Sequence, residues 1–570
     1  MSEWDESVEL LVVGSGAAGL AAALRGTAAG LSTLVVEKSA VWGGSMAMSA
    51  GALWVPCNPQ MKAAGLDDSL EDAIRYLKSV TFGEVDEDRL VAFVTGAVQM
   101  VEWLQEHSDV TFSSLVHYPD YNTDVEGSRA GGRSLEPDAF DARALGDAFA
   151  TLHPPYPGTL IMGKFLMRIP EARDLLMPGL KPKLGLARGF ARYLRRGRAR
   201  RALGRDPYLT MGQALAGRLR LSLDKREVPI WTSSPVVSLV EENDRISGAV
   251  IERAGTTVRI EARAGVVIAS GGFERSAELR ARYQGAGEAA SWSVGHEGNT
   301  GDGIRFGEQV GAMIDAELMR EAWWTPSVLP PGSGASVLVI EKSLPHGIFI
   351  GRDGHRFVNE AANYNDVGRA MYEAEASGAG GVPAWWVLDA TYRKRFIIGP
   401  VGPGFMMPDR KLPPKLRPGN GWLYKADTLR ELAAQIDVEG DALEKTVSRF
   451  NENATRGDDP DFHRGRTAND LYYADPRVAP NPSLGPIATA PFYAVRIYPG
   501  DLGTKAGLVT DAGGRVLRPD GSTIDGLFAA GNTASTVMGR SYPGAGATLA
   551  PAMLGGFIAA EAAAAERRSS

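Results

Sequence analysis

The sequence contains a single cysteine, Cys57, among 570 residues. An intramolecular disulfide needs two cysteines and the usual cysteine-rich metal sites need several, so both are excluded. A c-type haem is excluded for the same reason, because its C-x-x-C-H attachment motif requires a cysteine pair. Only seven histidines are present, and His296, His346 and His355 show no metal-ligand spacing. We therefore expect no metal site.

Positive charge and long apolar runs are also scarce. The formal net charge is −7, which argues against a nucleic-acid partner. The opening residues, MSEWDES, are acidic and lack the basic and apolar regions of a signal peptide. The most apolar stretch, residues 549–560, is too short to span a bilayer and contains Pro551. These features predict a cytoplasmic protein.

One basic segment departs from this composition. Residues 187–205, ARGFARYLRRGRARRALGR, are dense in arginine with interleaved apolar side chains. A solvated helical face is the simpler interpretation, and contact with an anionic membrane surface is the alternative. Peripheral membrane association through this segment is thus a hypothesis beside the cytoplasmic location.

A dinucleotide-binding fingerprint occupies residues 8–37. An apolar run predicts a buried strand, and Gly14, Gly16 and Gly19 follow it in the G-x-G-x-x-G pattern. Gly14 permits the tight turn, Gly16 lets a pyrophosphate reach the helix N-terminus, and Gly19 lets the helix pack on the strand. A second strand ends at Glu37, whose carboxylate can accept hydrogen bonds from ribose hydroxyls. Because every part falls in its required place, we predict a bound dinucleotide.

Three further stretches indicate FAD rather than NAD, by resemblance. KSAVWGGSMAMSAG (38–51) places a glycine pair after the ribose acid, ARAGVVIASGGFE (262–274) is a strand leading into small residues, and IDGLFAAGNTAS (524–535) is a late strand. In this order they resemble the flavoprotein superfamily that includes succinate dehydrogenase and soluble fumarate reductase. The resemblance implies an α/β fold: a Rossmann-like FAD-binding domain of that type with an inserted α+β catalytic domain.

The same resemblance implies which residues contact FAD. In this superfamily the late strand returns to the isoalloxazine, and an intervening strand lays a residue near the adenine. The predicted set comprises Gly14, Gly16, Ala18, Gly19, Glu37, Lys38, Gly43, Gly44, Ser45, Gly51, Val237, Gly271, Gly531, Asn532, Thr548 and Leu549. Members with covalent FAD carry a histidine just after the glycine pair, where this sequence has Ser45, Met46 and Met48. We therefore expect noncovalent FAD.

The resemblance also divides the chain. Residues 1–323 are predicted to form the first segment of the FAD-binding domain, 324–497 the substrate and catalytic domain, and 498–570 the returning segment. Within the middle part, Asp427 and Asp441 are predicted to cap helices, because each precedes an amphipathic run. We expect the flavin between the two lobes, where pockets are common.

Fumarate reductases differ from this sequence at two informative places. RFVNEAANY has Tyr364 where those enzymes place a proton-donating arginine. VMGRSY has Met538 and Tyr542 where their histidine and arginine hold carboxylates, and Thr504 is the nearest match to another such histidine. Bidentate arginine contacts are what dicarboxylate recognition requires, so reduction of a dicarboxylate is disfavoured.

The remaining pattern, VNEAANYND…AMY with PGDLGTKAGL and SYPGAGATLAPAM, resembles the 3-ketosteroid Δ1-dehydrogenases over nearly the full chain. The resemblance implies 1,2-desaturation of ring A of a 3-oxosteroid, with electrons passing to a quinone-like or other acceptor. It implies that the Tyr542 hydroxyl and the Gly546 amide hold the C3 oxygen. Tyr364 is implied as the base and Tyr121 as its hydrogen-bond partner, with Tyr118 a weaker candidate for that partner.

The chemistry of this arrangement is self-consistent. Removing a proton beside a carbonyl builds negative charge on its oxygen, and two preorganised donors stabilise that charge. A phenol with a pKa of about 10 is a poor base at neutral pH unless its phenolate is stabilised. Two alternatives remain: desaturation at Δ4 or of another cyclic ketone, and a flavin-binding protein without turnover.

Overall fold

The computed structural model of the chain describes residues 4–175, 177–285 and 287–569. Its strands are β1 (Glu6–Val13), β2 (Thr33–Val36), β3 (Leu53–Trp54), β4 (Phe112–Ser114), β5 (Ser134–Pro137), β6 (Phe140–Asp141), β7 (Tyr208–Leu209), β8 (Ile230–Trp231), β9 (Val236–Glu242), β10 (Arg245–Arg253), β11 (Thr256–Ile268), β12 (Ala322–Val328), β13 (Ser336–Val337), β14 (Gly347–Ile350), β15 (Ala384–Leu388), β16 (Leu423–Ala426), β17 (Phe492–Thr504), β18 (Arg515–Leu517) and β19 (Thr523–Ala529).

The α-helices of the described residues are α1 (Ala17–Ala28), α2 (Gly44–Met48), α3 (Pro59–Ala63), α4 (Leu70–Val80), α5 (Glu87–His107), α6 (Ile169–Asp174), α7 (Leu180–Arg195), α8 (Gly197–Leu203), α9 (Met211–Asp224), α10 (Ala277–Gln284), α11 (Asp302–Gln309), α12 (Tyr364–Ala376), α13 (Ala390–Arg395), α14 (Leu429–Ile436), α15 (Gly440–Arg456), α16 (Ala468–Tyr472) and α17 (Leu549–Ser569). Short 3-10 turns connect several of them.

The larger sheet has the order β18-β19-β10-β11-β1-β2-β8, with β9 paired to β10. β1 runs parallel to β2 and β11, and β11 runs parallel to β19. The second half of β1, LLVV, is fully buried, as expected for a parallel strand covered on both faces. The late strand β19 thereby lies in the same sheet as the first strand, as the sequence predicted.

A second sheet, β13-β12-β17-β15-β14 with β16 on β17, lies in the middle of the chain. β12 and β17 pair antiparallel along most of their length. The predicted domain boundaries at 323/324 and 497/498 fall within these two strands, so the strands join the two segments. The division into domains stays a prediction.

The helix caps in this part differ from the expectation. Asp427 and Asp441 do not cap: α14 follows Thr428, whose hydroxyl accepts from the Glu431 N–H, and α15 follows Glu439, whose carboxylate accepts from the Asp441 N–H. The Thr428 and Glu431 side chains complete a capping box, which satisfies two backbone donors at once. Both predictions were wrong by one or two residues.

One helix among the described residues, α17, is long and apolar enough to cross a membrane by length and composition alone. It extends further than the apolar stretch 549–560 suggests. Half of its apolar window is buried, and it packs on α1 and α5. This is the pattern of a core helix, and the cytoplasmic location stays a prediction.

Candidate active site

The loop between β1 and α1 presents a row of backbone donors. Within the described residues, the N–H groups of Gly16 to Gly19 donate to no protein acceptor. Gly14 has φ +108°, and a Cβ there would lie 2.4 Å from the Ala269 carbonyl oxygen, so only glycine fits. A Cβ on Gly16 would meet nothing within 4 Å. An open helix N-terminus with free amides suits a pyrophosphate.

Glu37 orders this loop. Its carboxylate is buried and accepts hydrogen bonds from the Ser15 N–H (3.0 Å), the Ser15 hydroxyl (2.7 Å) and the Ser39 N–H (2.8 Å). A carboxylate offers about four acceptor positions, so one remains for a ribose hydroxyl. Lys38 extends away toward Asp302 and Thr300, with 2.7 Å to each.

Two other predicted segments converge on the same helix start. A Cβ on Gly44 would lie 3.3 Å from Gly16 Cα, and one on Gly531 would lie 3.2 Å from Ala18 Cβ. The Gly43 N–H donates to the Ser15 hydroxyl (3.1 Å). In the part of the chain that is described, the N–H groups of Gly44 and Ser45 have no protein acceptor. The glycine pair and the late strand thus border the row of free donors.

The other predicted cofactor residues have varied surroundings. A Cβ on Gly51 would meet the backbone of Gly212 at the start of α9, and a Cβ on Gly271 would meet the Asn299 side chain. Val237 on β9 is 55 % exposed. Asn532 accepts from Trp323 Nε1 at 3.3 Å. Thr548 and Leu549 lie where α17 begins. Their contacts with FAD stay predictions, but the converging free amides and the buried acid together fit this cofactor.

Acid precipitation is expected to release all flavin from the purified protein into the supernatant. The residue after the glycine pair is Ser45, whose hydroxyl accepts from the His296 N–H and from Asn299 Nδ2 (both 3.2 Å). A serine there supplies no imidazole for a covalent link. Absorbance of supernatant and pellet after precipitation checks this, and yellow colour retained in the washed pellet would contradict it.

Tyr121, Tyr364 and Tyr542 form one buried aromatic cluster. The ring centroids of Tyr364 and Tyr542 are 5.1 Å apart, and Tyr121 lies 5.3 Å from each. The Tyr121 hydroxyl donates to the Tyr364 hydroxyl at 3.2 Å. The fold therefore brings together the three tyrosines that the family resemblance implied for one site.

Three different elements supply these side chains. Tyr364 is the first residue of α12, whose N-cap is Asn363. Tyr121 lies in the connection between β4 and β5, and its N–H donates to the Pro543 carbonyl (2.9 Å). Tyr542 lies in the loop that leads into α17. The arrangement is thus held by loops and by one helix start.

Burial in this cluster raises the pKa of both Tyr364 and Tyr542. Burial raises the pKa of Tyr364 well above its ordinary value, the Tyr542 hydroxyl raises it further, and the hydrogen bond from Tyr121 lowers it. Burial raises the pKa of Tyr542 to about 12, while hydrogen bonds with Tyr364 and Thr548 act to lower it. Tyr542 is therefore a phenol at neutral pH and can donate.

Gly546 supplies a second donor. Its φ is +102°, and a Cβ would lie 2.4 Å from the Ala52 carbonyl oxygen, so no other residue fits without displacing backbone. The residue is buried, and its N–H finds no acceptor among the described residues. It lies three residues before α17, whose N-terminal dipole favours negative charge nearby. The Tyr542 hydroxyl and this N–H are suited to an oxyanion.

Tyr118 occupies a different place from Tyr121. Its hydroxyl accepts from the Tyr473 hydroxyl (3.0 Å) and also interacts with that of Tyr121. A cavity of about 10 Å³, room for about one water, is lined by Tyr118, Tyr121, Tyr364, Lys342 and Tyr473 among others. The sequence analysis missed Tyr473 and Lys342, because no local motif marks either of them.

Comparisons with known proteins show which family the chain resembles. The family model described as FAD binding domain matches residues 9–549. A 3-oxosteroid 1-dehydrogenase of Mycobacterium tuberculosis (strain ATCC 25618 / H37Rv) is 39 % identical over 97 % of this chain and 98 % of its own length. A 4-oxocyclohexanecarboxylate 2-dehydrogenase of Sinomonas cyclohexanicum is 34 % identical, covering 97 % of this chain and 92 % of its own.

Among solved structures, the 3-ketosteroid Δ1-dehydrogenase of Sterolibacterium denitrificans in complex with 1,4-androstadiene-3,17-dione matches with a TM-score of 0.93. The two are 42 % identical, and the match covers 98 % of this chain and 100 % of that one. The predicted flavoprotein fold and the predicted family are both confirmed. The chain belongs to the FAD-binding flavoproteins, within the family of the 3-oxosteroid 1-dehydrogenases.

Proposed function

We propose that this protein is an FAD-dependent 3-oxosteroid 1-dehydrogenase that introduces the C1–C2 double bond of ring A. The observation that carries the proposal is the buried packing of Tyr364 against Tyr542, in the same loop as Gly546, whose N–H has no acceptor among the described residues. The relative from Mycobacterium tuberculosis and the structure from Sterolibacterium denitrificans support the same activity.

In the proposed reaction the Tyr542 hydroxyl and the Gly546 N–H hold the C3 oxygen. Both donors are fixed before substrate arrives, so they stabilise the charge that grows on this oxygen as the C2 proton leaves. The Tyr364 oxygen takes that proton. When bound, FAD supplies the oxidant that accepts the C1 hydride, and a quinone-like acceptor would receive its electrons.

The hydroxyl chain behind Tyr364 gives the proton a path. Tyr121 donates to Tyr364, Tyr121 and Tyr118 interact, and Tyr473 donates to Tyr118. Each hydroxyl can donate and accept, so reversing the donors in sequence moves a proton along the chain. Tyr473 is half-buried, whereas Tyr118, Tyr121 and Tyr364 are buried. The chain can also return Tyr364 to phenolate before the next turnover.

An anaerobic titration with a 3-oxosteroid tests the function. The oxidised flavin absorbance should disappear at about one steroid per flavin, because each steroid releases two electrons. Mass spectrometry and NMR of the steroid should show a C1–C2 double bond. An unchanged flavin spectrum would indicate a flavin-binding protein without this turnover, and a C4–C5 double bond would indicate the Δ4 reaction.

A smaller cyclic ketone is the second candidate substrate, since the Sinomonas relative is named for a 4-oxocyclohexanecarboxylate. Such a substrate carries a carboxylate. The buried lysines nearest the tyrosines are engaged: Lys505 donates to the Ser541 carbonyl (2.8 Å), and Lys342 donates to the Glu360 carbonyl (3.1 Å). This favours the uncharged steroid, and comparing kcat/KM for the two ketones decides between them.

We further propose that α7 and α8 contact an anionic membrane surface. No acidic residue occurs between positions 175 and 205. Arg188, Arg195, Arg198 and Arg201 are exposed, and none forms an ion pair within the described residues. Three leucines, at positions 180, 184 and 194, are 74 %, 55 % and 68 % exposed. Apolar side chains among cations suit lipid headgroups, where a lipophilic substrate also collects.

The wild-type protein is expected to sediment with vesicles that contain an anionic phospholipid and to stay in solution with phosphatidylcholine vesicles. Each basic residue contributes about 1 kcal/mol of attraction, so replacing all four exposed arginines by glutamine should lower the partition coefficient by roughly 100-fold or more. The control replaces four exposed arginines that are ion-paired, Arg430, Arg449, Arg466 and Arg477, and so removes the same formal charge elsewhere. Equal loss in both variants, or no binding by wild type, would refute the contact.

A further inference from the structure

The loop that carries Tyr542 is anchored through four consecutive carbonyl groups. Each accepts a hydrogen bond from a residue outside the loop. The bonds are Asn365 Nδ2 to the Arg540 oxygen (3.2 Å), Lys505 Nζ to the Ser541 oxygen (2.8 Å), Asn363 Nδ2 to the Tyr542 oxygen (3.1 Å), and Tyr121 N (2.9 Å) and Tyr76 Oη (2.6 Å) to the Pro543 oxygen. The main chain of this loop is therefore fixed along its length.

Two of these donors flank Tyr364 in sequence. Asn363 and Asn365 are both buried, and their amide groups reach the same loop at carbonyls two residues apart. Asn363 also caps α12, because its Oδ1 accepts from the Asn365 N–H at 2.9 Å. The residues on both sides of Tyr364 therefore connect the start of α12 to the Tyr542 loop through hydrogen bonds.

The surroundings of Asn365 indicate that its side-chain amide is needed as a hydrogen-bond donor. Its Oδ1 is buried and has no hydrogen-bond partner among the described residues. An unsatisfied buried oxygen destabilises the folded protein. A leucine of similar size would avoid that cost but could donate neither to the Arg540 carbonyl (3.2 Å) nor to the Asp366 carboxylate, which lies 3.4 Å from the same Nδ2. Packing alone therefore does not account for an asparagine here.

We propose that Asn363 and Asn365 are positioning residues that set the separation between the Tyr364 hydroxyl and the donors at Tyr542 and Gly546. This inference rests on the proposed function, in which the base acts on C2 and the donors act on the oxygen of the neighbouring C3 carbonyl of one substrate. Misplacement of a reacting group by about 1 Å can lower a rate by roughly 100-fold. A base and an oxyanion site on separate segments need such a connection.

Two substitutions test these hydrogen bonds without depending on a loss of folding. Asn363→Asp keeps the capping acceptor for α12 but places a carboxylate oxygen against the Tyr542 carbonyl. Asn365→Leu removes both the donor and the unsatisfied oxygen at nearly constant volume. Asn451→Asp is the control. Asn451 lies on α15, outside the tyrosine cluster. Its Nδ2 donates to the Ile487 carbonyl (2.9 Å), and its Oδ1 accepts from the Ile487 N–H (2.7 Å).

The limiting rate of flavin reduction should fall about 10- to 100-fold in both variants, with steroid half-saturation within about threefold of wild type. Deuterium at C2 should slow both variants more than it slows wild type, because proton removal becomes the harder step. The melting temperature of each holoenzyme variant, measured beside its rate, separates a loss of rate from a loss of folding. Asn451→Asp should keep the wild-type limiting rate.

Hydrogen–deuterium exchange tests the inference independently of enzymatic activity. In steroid-free holoenzyme, residues 540–548 should exchange faster in both variants than in wild type or Asn451→Asp. If the wild-type flavin is not reduced by any 3-oxosteroid, the proposed function fails, yet faster exchange still supports the connection. Exchange and limiting rates equal to wild type would overturn the inference, as would equal rate losses in the control.

Discussion

Tyr364→Phe is expected to lower flavin reduction by a 3-oxosteroid by about 10⁴-fold, at the upper end of what a general base contributes. The substitution removes only the oxygen that takes the C2 proton. The ring keeps its edge contacts with Tyr121 and Tyr542, so FAD and steroid should still bind. Single-turnover absorbance of the flavin measures the rate, and a spectral shift on steroid addition measures binding.

The pH dependence of the wild-type rate has the same origin. Tyr364 must be deprotonated to act, and burial raises its pKa well above the ordinary value. Over about pH 6 to 9 the phenolate fraction therefore rises nearly tenfold per unit, and the rate should rise with it while proton removal limits. The hydrogen bond from Tyr121 favours the phenolate, so Tyr121→Phe should slow the reaction and leave the slope positive.

The control for Tyr364→Phe is Tyr424→Phe. Tyr424 packs edge-on against Trp385, with ring centroids 5.2 Å apart, on the second sheet. Tyr424→Phe also removes a phenolic hydroxyl from an edge-on aromatic contact, and this variant should keep the wild-type rate. A Tyr364→Phe enzyme within about tenfold of wild type, or a rate independent of pH, would remove Tyr364 from the proposed mechanism.

The cofactor cleft was predictable because its determinants are local. The turn at Gly14, the free amides of α1 and the acid at Glu37 arise within thirty or so residues, and the G-x-G-x-x-G spacing encodes them directly. The tyrosines carry no such spacing. Their joint placement could be expected only through the family resemblance, and their individual roles stay proposals.

What the sequence could not show lies in contacts between distant segments. Asn363, Asn365 and Lys505 bond carbonyls of the Tyr542 loop, and Tyr473 reaches Tyr118, but none belongs to a periodic pattern. The helix caps failed for a related reason. Several polar residues precede each helix, and which one caps depends on where the chain enters, as the Thr428 capping box shows.

Tyr542→Phe is expected to lower the limiting rate of flavin reduction by about 10²–10³, the usual effect of losing one oxyanion-hole donor. The bond from Tyr542 must strengthen as charge develops on the C3 oxygen, so its loss should affect the rate more than steroid affinity. The pKa of Tyr542, raised by burial to about 12, keeps this donor protonated across the working pH range. Single-turnover reduction at increasing steroid concentration separates rate from affinity.

Gly546→Ala serves as the comparison, because it disturbs the other donor through the backbone. The added methyl would lie 2.4 Å from the Ala52 oxygen at a φ of +102°, so the loop must move and both rate and affinity should suffer. Tyr542→Phe leaves the backbone, the Trp323 contact and the Gly546 N–H in place. If Tyr542→Phe weakens steroid binding but keeps the limiting rate, Tyr542 only docks the substrate, and the C3 oxygen is stabilised during reaction by the Gly546 amide without it.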